Sequence, residues 1–365
     1  MLPKLLLIAS TTLLAVSAQT QSKWNFAGYP KPGSKPVPKP EWMDLLKTAN
    51  IAALKPVPLK NGEPDLTAVK PADCDWTSDL CIREDDILTC PKGQWGITYD
   101  DGPTANSPKL YDYLKSVNQK STLFLIGGQV TTFPDLTFRA FNEGHELAIH
   151  TWTHSYLTTL STEQIVAELM WTASAIQEVT KKTPRFFRPP YGDIDNRVRD
   201  IAKALGFVPV IWNHDTDDWR SAEDKSFDVK WIDGNATEWA KEAATATTGG
   251  ISLEHDLYPQ TVDAAIRILP TLQKAYKVVT VGECTGQQSY KEGGASPVSN
   301  TTTTTTTAAT KPSSTPATQN PNSGSSNTDK SNGNASNQNG TSASTRTTVN
   351  VALVVLGASI ASMII

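Results

Sequence analysis

Residues 95–102 read Trp-Gly-Ile-Thr-Tyr-Asp-Asp-Gly. The run from Trp95 to Tyr99 has the length and composition of a buried strand, and it ends on two carboxylates, Asp100 and Asp101, followed by a glycine. The same grammar repeats outward from this stretch. Strand-like runs follow at 121–126, 146–150, 186–188, 208–212, 251–255 and 278–281, and helix-like runs at 107–117, 134–143, 162–180, 196–205, 229–245 and 259–275 fall between them. Ser161, with Gln164 three residues on, has the signature of a capping box, and Gly206 stands where a helix ending at Leu205 would be capped. Strands alternating with helices over short links imply a parallel sheet. Seven strands with six helices between them point to an α/β fold, a distorted (β/α) barrel or a nearly closed one. Such barrels gather their reactive residues at the C-terminal ends of the strands.

The reactive residues of this chain sit there. After the strands come Asp100-Asp101, His150-Thr151-Trp152-Thr153-His154, Arg188-Pro189-Pro190-Tyr191-Gly192-Asp193, Asp215-Thr216-Asp217-Asp218-Trp219 and Leu253-Glu254-His255. Histidines at i and i+4 share one face of a helical turn, so His150 and His154 are expected to reach one ion together. Two imidazoles and one carboxylate of the Asp100-Asp101 pair, with open positions left for water, suit a catalytic divalent metal, zinc or cobalt. The other Asp of the pair then stays free to act as a base and His255 as an acid, with Asp215 orienting His255 and Arg188 able to keep Asp100 ionised. A backbone N–H near Tyr191, after Pro190, is expected to stabilise an oxyanion, and Trp219 and Leu253 to wall an acetyl methyl group. His145, His214 and Asp193 are read as structural, Asp193 as a helix cap, and Trp152, Trp171, Trp231 and Trp239 as core residues.

TYDDG, HTWTH, RPPYGD, DTDDW and LEH, in this order, resemble the five motifs of the NodB-type polysaccharide deacetylases, carbohydrate esterase family 4. The resemblance spans residues 95–281 and implies metal-dependent deacetylation of a polysaccharide. By motif position it implies Asp100 as base, Asp101, His150 and His154 as ligands, Arg188 orienting the base, and Asp215 tuning His255. Tyr99 stands where the family more often has Phe.

The flanks add a compartment. Lys4, an apolar run over 5–16 and small residues to Ala18 read as a signal peptide, residues 1–18. Residues 19–92 form a Pro-rich extension expected to wrap the core, 93–285 the catalytic domain, and 286–350 a Ser/Thr/Asn-rich stalk. Residues 340–365 have the small site, polar spacer and apolar tail of a GPI attachment signal, with Asn339 the expected attachment residue. Asn235, Asn300, Asn334 and Asn339 are N-glycosylation sequons. Four cysteines allow two disulfides in three pairings. Cys90 precedes the first core strand and Cys284 follows the last, so Cys90–Cys284 with Cys74–Cys81 is the expected arrangement. A net charge of -4 gives no basic field for nucleic acid. This architecture is similar to that of fungal chitin deacetylases, which implies chitin as substrate, chitosan as product, and a monomeric protein at the membrane or cell wall. A different acetylated glycan, or a wall-anchored binding protein with a decayed site, are the competing readings.

Overall fold

The structure, a computed structural model, describes residues 23–293. The signal segment, the stalk from residue 294, the attachment signal, and Asn300, Asn334 and Asn339 lie outside the described residues. The extension contributes α1 (Pro40–Asp44), a hairpin of β1 (Leu59–Lys60) and β2 (Glu63–Pro64), and α2 (Trp76–Asp79). The catalytic region runs β3 (Gln94–Gly96), β4 (Thr98–Asp100), α3 (Ser107–Ser116), β5 (Thr122–Leu125), α4 (Gly127–Thr132), α5 (Pro134–Asn142) and β6 (Glu146–Ile149). It continues α6 (Thr162–Thr180), β7 (Phe186–Phe187), α7 (Asn196–Ala204), β8 (Val208–Pro209), β9 (His214–Asp215), α8 (Arg220–Glu223) and α9 (Lys230–Glu242). It ends with β10 (Gly250–Leu253), α10 (Pro259–Ala275), β11 (Lys277–Val279) and α11 (Val281–Thr285).

The named strands from β3 onward pair in parallel, in two ladders ordered β4-β5-β6-β7-β8 and β11-β3-β10-β9. Two of the expected strands join these ladders by changing partners midway. The first breaks at Ile97: below it β3 lies between β10 and β11, and above it β4 pairs with β5. The strand expected at 208–212 is shorter. It pairs with β7 only over β8, then Val210 donates to Phe187 (2.9 Å) and Asn213 to Ile251 (3.2 Å), so that the chain crosses to β10 as β9. Ile87 of the extension fills the gap at this crossing by bridging Val210. The result is a distorted barrel in which the chain carries from the end of one ladder, β8, to the end of the other, β9.

Strands β4, β5, β6, β7 and β10 are buried on both faces, as expected where helices pack outside a parallel sheet. The longest helix, α6, starts with the expected capping box: Ser161 Oγ accepts from Gln164 N–H, and Gln164 Oε1 from Ser161 N–H. The extension wraps the barrel instead of folding alone. Tyr29 and Trp42 pack on Trp171 with centroids at 5.0 and 4.9 Å, and Trp171 donates its indole N–H to the Val37 carbonyl. Trp76 stacks edge-on against Trp212 and fills the space beside Gly192. Gly192 has φ +73°, and a Cβ there would collide with the Trp76 ring, so glycine is required on both counts. Two disulfides, Cys74–Cys81 and Cys90–Cys284, fix the extension loop and join the two ends of the barrel. Trp152 and Trp171 are buried, whereas Trp231 stands exposed on α9 against the expectation of a core role. Asn235 is half-buried on the same helix.

Candidate active site

The C-terminal end of the barrel brings the expected residues together. Asp100 closes β4, and its carboxylate is buried. Arg188, just beyond β7 and fully buried, donates from Nη1 to Asp100 Oδ1 (2.9 Å) and to Thr98 Oγ1 (2.7 Å). The Val210 and Ile211 carbonyls accept from its remaining nitrogens, and the guanidinium lies over the Phe124 ring at 4.3 Å. A buried cation is tolerable only when so completely partnered. Burial pushes the Asp100 carboxyl up to about 6, against the pull of Arg188 and His255. A carboxylate held near neutrality by opposing forces can take up and release a proton.

Asp101, His150 and His154 place one ligand atom each within 4.8 Å of one another. Asp101 Oδ1 is 3.4 Å from Nε2 of both histidines, and it is buried with no hydrogen-bond partner. An orphaned buried carboxylate oxygen facing two imidazole nitrogens is what a cation would complete, so the donor set fits a divalent metal. The outer ring atoms are already engaged. His150 Nδ1 meets the Arg188 carbonyl at 2.9 Å; a carbonyl only accepts, so Nδ1 carries the hydrogen and Nε2 keeps its lone pair for a ligand. His154 Nδ1 lies 3.2 Å from the Tyr191 hydroxyl. Burial lowers the His150 ring to about 3 and lowers His154 as well, so both are neutral, the form that ligates. Burial works against the Asp101 charge, but His154, His255 and His150 outweigh it and hold the carboxyl below its ordinary value.

Three expectations are corrected here. His150 and His154 do not lie on a helix. The segment between them is a loop in which Thr151 (φ 63°) and His154 (φ 57°) take left-handed backbone, and His154 N–H is satisfied by Thr151 Oγ1 (3.0 Å). For a β-branched residue such as Thr151 this is a costly conformation, on the order of 1–3 kcal/mol. Asp101, Tyr191 and Asp217 are left-handed too, so strained backbone concentrates around the site.

The second correction concerns His255. Its Nδ1 is 2.7 Å from Asp218 Oδ1, and its backbone N–H donates to Asp218 Oδ2 (2.9 Å). Asp215, the residue expected in that role, instead accepts from the Asp217 N–H (2.8 Å). The left-handed turn at Asp217 redirects the chain, so that the fourth residue of Asp215-Thr216-Asp217-Asp218 faces the imidazole. Burial opposes the charge on His255, but Asp218 overcomes it and raises the ring to about 10. Burial and the neighbouring Asp217 raise Asp215 to about 7. His255 also forms a parallel bridge with Asp100 across the top of the barrel, which sets the two residues expected as acid and base side by side. Asp193 does not cap α7, a role Asp195 takes; it accepts from Thr158 N–H and Oγ1 (both 2.8 Å). His145 is buried against Ser121, and His214 lies among Trp95 and Trp239.

The rim is aromatic. Tyr191, with φ 60°, stacks on Tyr156 (4.0 Å between centroids), and Trp219 is also exposed. Pro190 and Leu253 are buried.

A family profile described as polysaccharide deacetylase matches residues 89–210. Over 322 residues the chain is 36% identical to chitin deacetylase 1 of Cryptococcus neoformans var. grubii, covering 84% of this chain and 68% of that one. It is 39% identical over 238 residues to the chitin deacetylase of Amylomyces rouxii, covering 61% of this chain and 56% of that one. Among solved structures it is similar to the chitin deacetylase of Colletotrichum lindemuthianum, with 30% identity and a TM-score of 0.51 over 56% of this chain and 95% of that chain. With the barrel, the five strand-end segments and these relatives in agreement, the chain belongs to the polysaccharide deacetylase family.

Proposed function

We propose that this deacetylase hydrolyses the N-acetyl groups of N-acetylglucosamine units in chitin, releasing acetate and leaving chitosan, as part of cell-wall remodelling. The carrying observation is the pairing of a restrained carboxylate and a charged imidazole, Asp100 and His255, beside the Asp101–His150–His154 cluster. A divalent ion in that cluster, zinc or cobalt, supplies an acidified water and a Lewis acid for the acetyl carbonyl. Arg188 occupies Asp100 Oδ1, so Oδ2 is the free oxygen, 3.8 Å from His150 Nε2. Asp100 Oδ2 takes the proton as the water oxygen bonds to the carbonyl carbon. The Tyr191 backbone N–H faces the developing oxyanion. Nε2 of His255, the nitrogen not used by Asp218, gives its proton to the leaving nitrogen as the C–N bond breaks. The water oxygen stays with acetate, and the sugar keeps a free amine. Trp219, Leu253 and Pro190 enclose the acetyl methyl. Asp215 steadies the Asp217 turn and the Arg188 charge, a supporting role that replaces its expected contact with His255.

The two disulfides fit an oxidising, extracellular setting. Display on a glycosylated stalk by a GPI anchor at Asn339, residence at the membrane or wall, glycans at Asn235, Asn300 and Asn334, and a monomeric state complete the reading. A parallel assay of acetate release from chitin oligomers, acetylated xylan and peptidoglycan fragments tests the substrate. Preference for chitin oligomers is expected; release from xylan or peptidoglycan alone would assign the same chemistry to another glycan, and binding of chitin without release would make the chain a binding protein.

A further inference from the structure

The loop that carries His154 makes no helical hydrogen bonds of its own, yet it holds two left-handed residues. The amides of Gly127 and Gly128 on α4 donate to its Thr151 and Trp152 carbonyls (2.9 and 3.3 Å), and the restraint next to His154 lies on α6. Glu168 is buried, and its carboxylate accepts three hydrogen bonds from the loop. Oε2 takes the backbone N–H groups of Trp152 (2.7 Å) and Thr153 (2.8 Å), and Oε1 takes the Thr153 hydroxyl (2.6 Å). The bonded residues are the two directly before His154. From the other side, Trp152 is buried against Gly127, and its indole N–H donates to the Lys31 carbonyl of the extension (3.3 Å). A buried acid with no cationic partner is costly unless its lone pairs are filled by fixed donors. Here those donors are the backbone of a strained loop.

We infer that Glu168 is a positioning residue for the metal centre: through the Trp152 and Thr153 amides it sets the aim of His154 Nε2. This rests on the reading of Asp101, His150 and His154 as the ligand set. It predicts an effect on metal affinity beyond any effect on folding, because outer-shell partners of ligands commonly change affinity about 10- to 100-fold. Glu168→Gln keeps a carbonyl oxygen for the two amides and an NH₂ that Thr153 Oγ1 can accept from, so the geometry survives. Glu168→Ala removes every acceptor. Ile176→Val, buried on the same helix and remote from the loop, lowers stability without touching the loop.

The test is zinc affinity of the full chain by competition with a chromogenic chelator, beside the Tm of each metal-free protein. Glu168→Ala is expected to bind zinc about 10- to 100-fold more weakly, with Glu168→Gln within about threefold of the wild type and Ile176→Val unchanged. Wild-type affinity in Glu168→Ala, or an equal loss in Ile176→Val, would overturn the inference. Should Glu168→Ala not fold, Thr153→Val decides: it removes one of the three bonds and is expected to weaken zinc about three- to tenfold, and no change would overturn the inference. A wild-type protein that takes up no zinc removes the ligand reading and this inference with it; wild-type uptake with an unaffected Glu168→Ala removes the inference alone.

Discussion

Strand β6 has a buried ionisable residue at each end, and the two are treated in opposite ways. At its N-terminal end Glu146 accepts from Thr122 Oγ1 (2.8 Å), the Gly282 N–H (3.1 Å) and Ser289 Oγ (2.5 Å). Just past its C-terminal end, His150 faces Asp101, whose Oδ1 has no hydrogen-bond partner. Burial raises the Glu146 carboxyl, while the imidazoles around Asp101 hold that one low. The lower end is a closed polar plug that joins β5, β6 and the segment after β11. The upper end keeps an open valence and strained backbone, which only something bound there would repay. The same residue types thus serve stability at one end and chemistry at the other.

The comparison breaks most readily at the upper end. Asp101→Asn removes the charge while tolerating φ 76°, and is expected to abolish zinc uptake and cut acetate release by at least about a thousandfold, with the metal-free Tm unchanged or raised. Zinc titration and a thermal melt on one preparation check both halves; a large loss of Tm would mean that Asp101 is structural. Asp218→Asn comes next. In the proposed role His255 acts protonated, and its ring is raised to about 10, so wild-type activity is expected to persist into alkaline pH. Without the Asp218 charge the ring falls to its ordinary value or below it, since burial opposes its charge, and the alkaline limb of the kcat profile moves down, with activity at neutral pH reduced at least about fourfold. The same substitution at Asp215 should move that limb far less, which separates the two aspartates by their pH profiles.

At the lower end the effect should be on folding alone. Glu146→Ala leaves three donors facing a cavity and is expected to cost about 1–3 kcal/mol, read as a lower denaturant midpoint. Acetate release per folded molecule should stay within about twofold, since the plug and the site share only the strand between them. The smallest change is Ser161→Ala at the N-cap of α6, worth about 1 kcal/mol with no change in activity or metal affinity.

Much of the upper end was legible in the sequence because chemistry there is written in strand-end residues: Asp100-Asp101, His150, Arg188 and His255 each follow a recognisable apolar run. The lower end was opaque, since Glu146 looks like one more charge at a strand start and its donors come from β5 and from beyond β11. The errors have local causes. Three aspartates within four residues cannot be ranked without the turn at Asp217, which hands His255 to Asp218. Histidines four apart look helical until Thr151 and His154 adopt positive φ. Glu168 sits in an ordinary helical pattern, and its partners lie fifteen and sixteen residues earlier, out of reach of any periodicity. The strand at 208–212 has an apolar pattern that extends past the point where the ladder changes partner.

The most direct test of the account is acetate release from chitin oligomers by the full chain, measured as purified, after chelation, and after zinc is restored, with Asp100→Asn alongside. The expected result is activity that falls to background on chelation and returns with zinc, and an Asp100→Asn protein that takes up zinc yet stays inactive. Release that persists in chelator, or an Asp100→Asn protein that is folded and as active as the wild type, would contradict it.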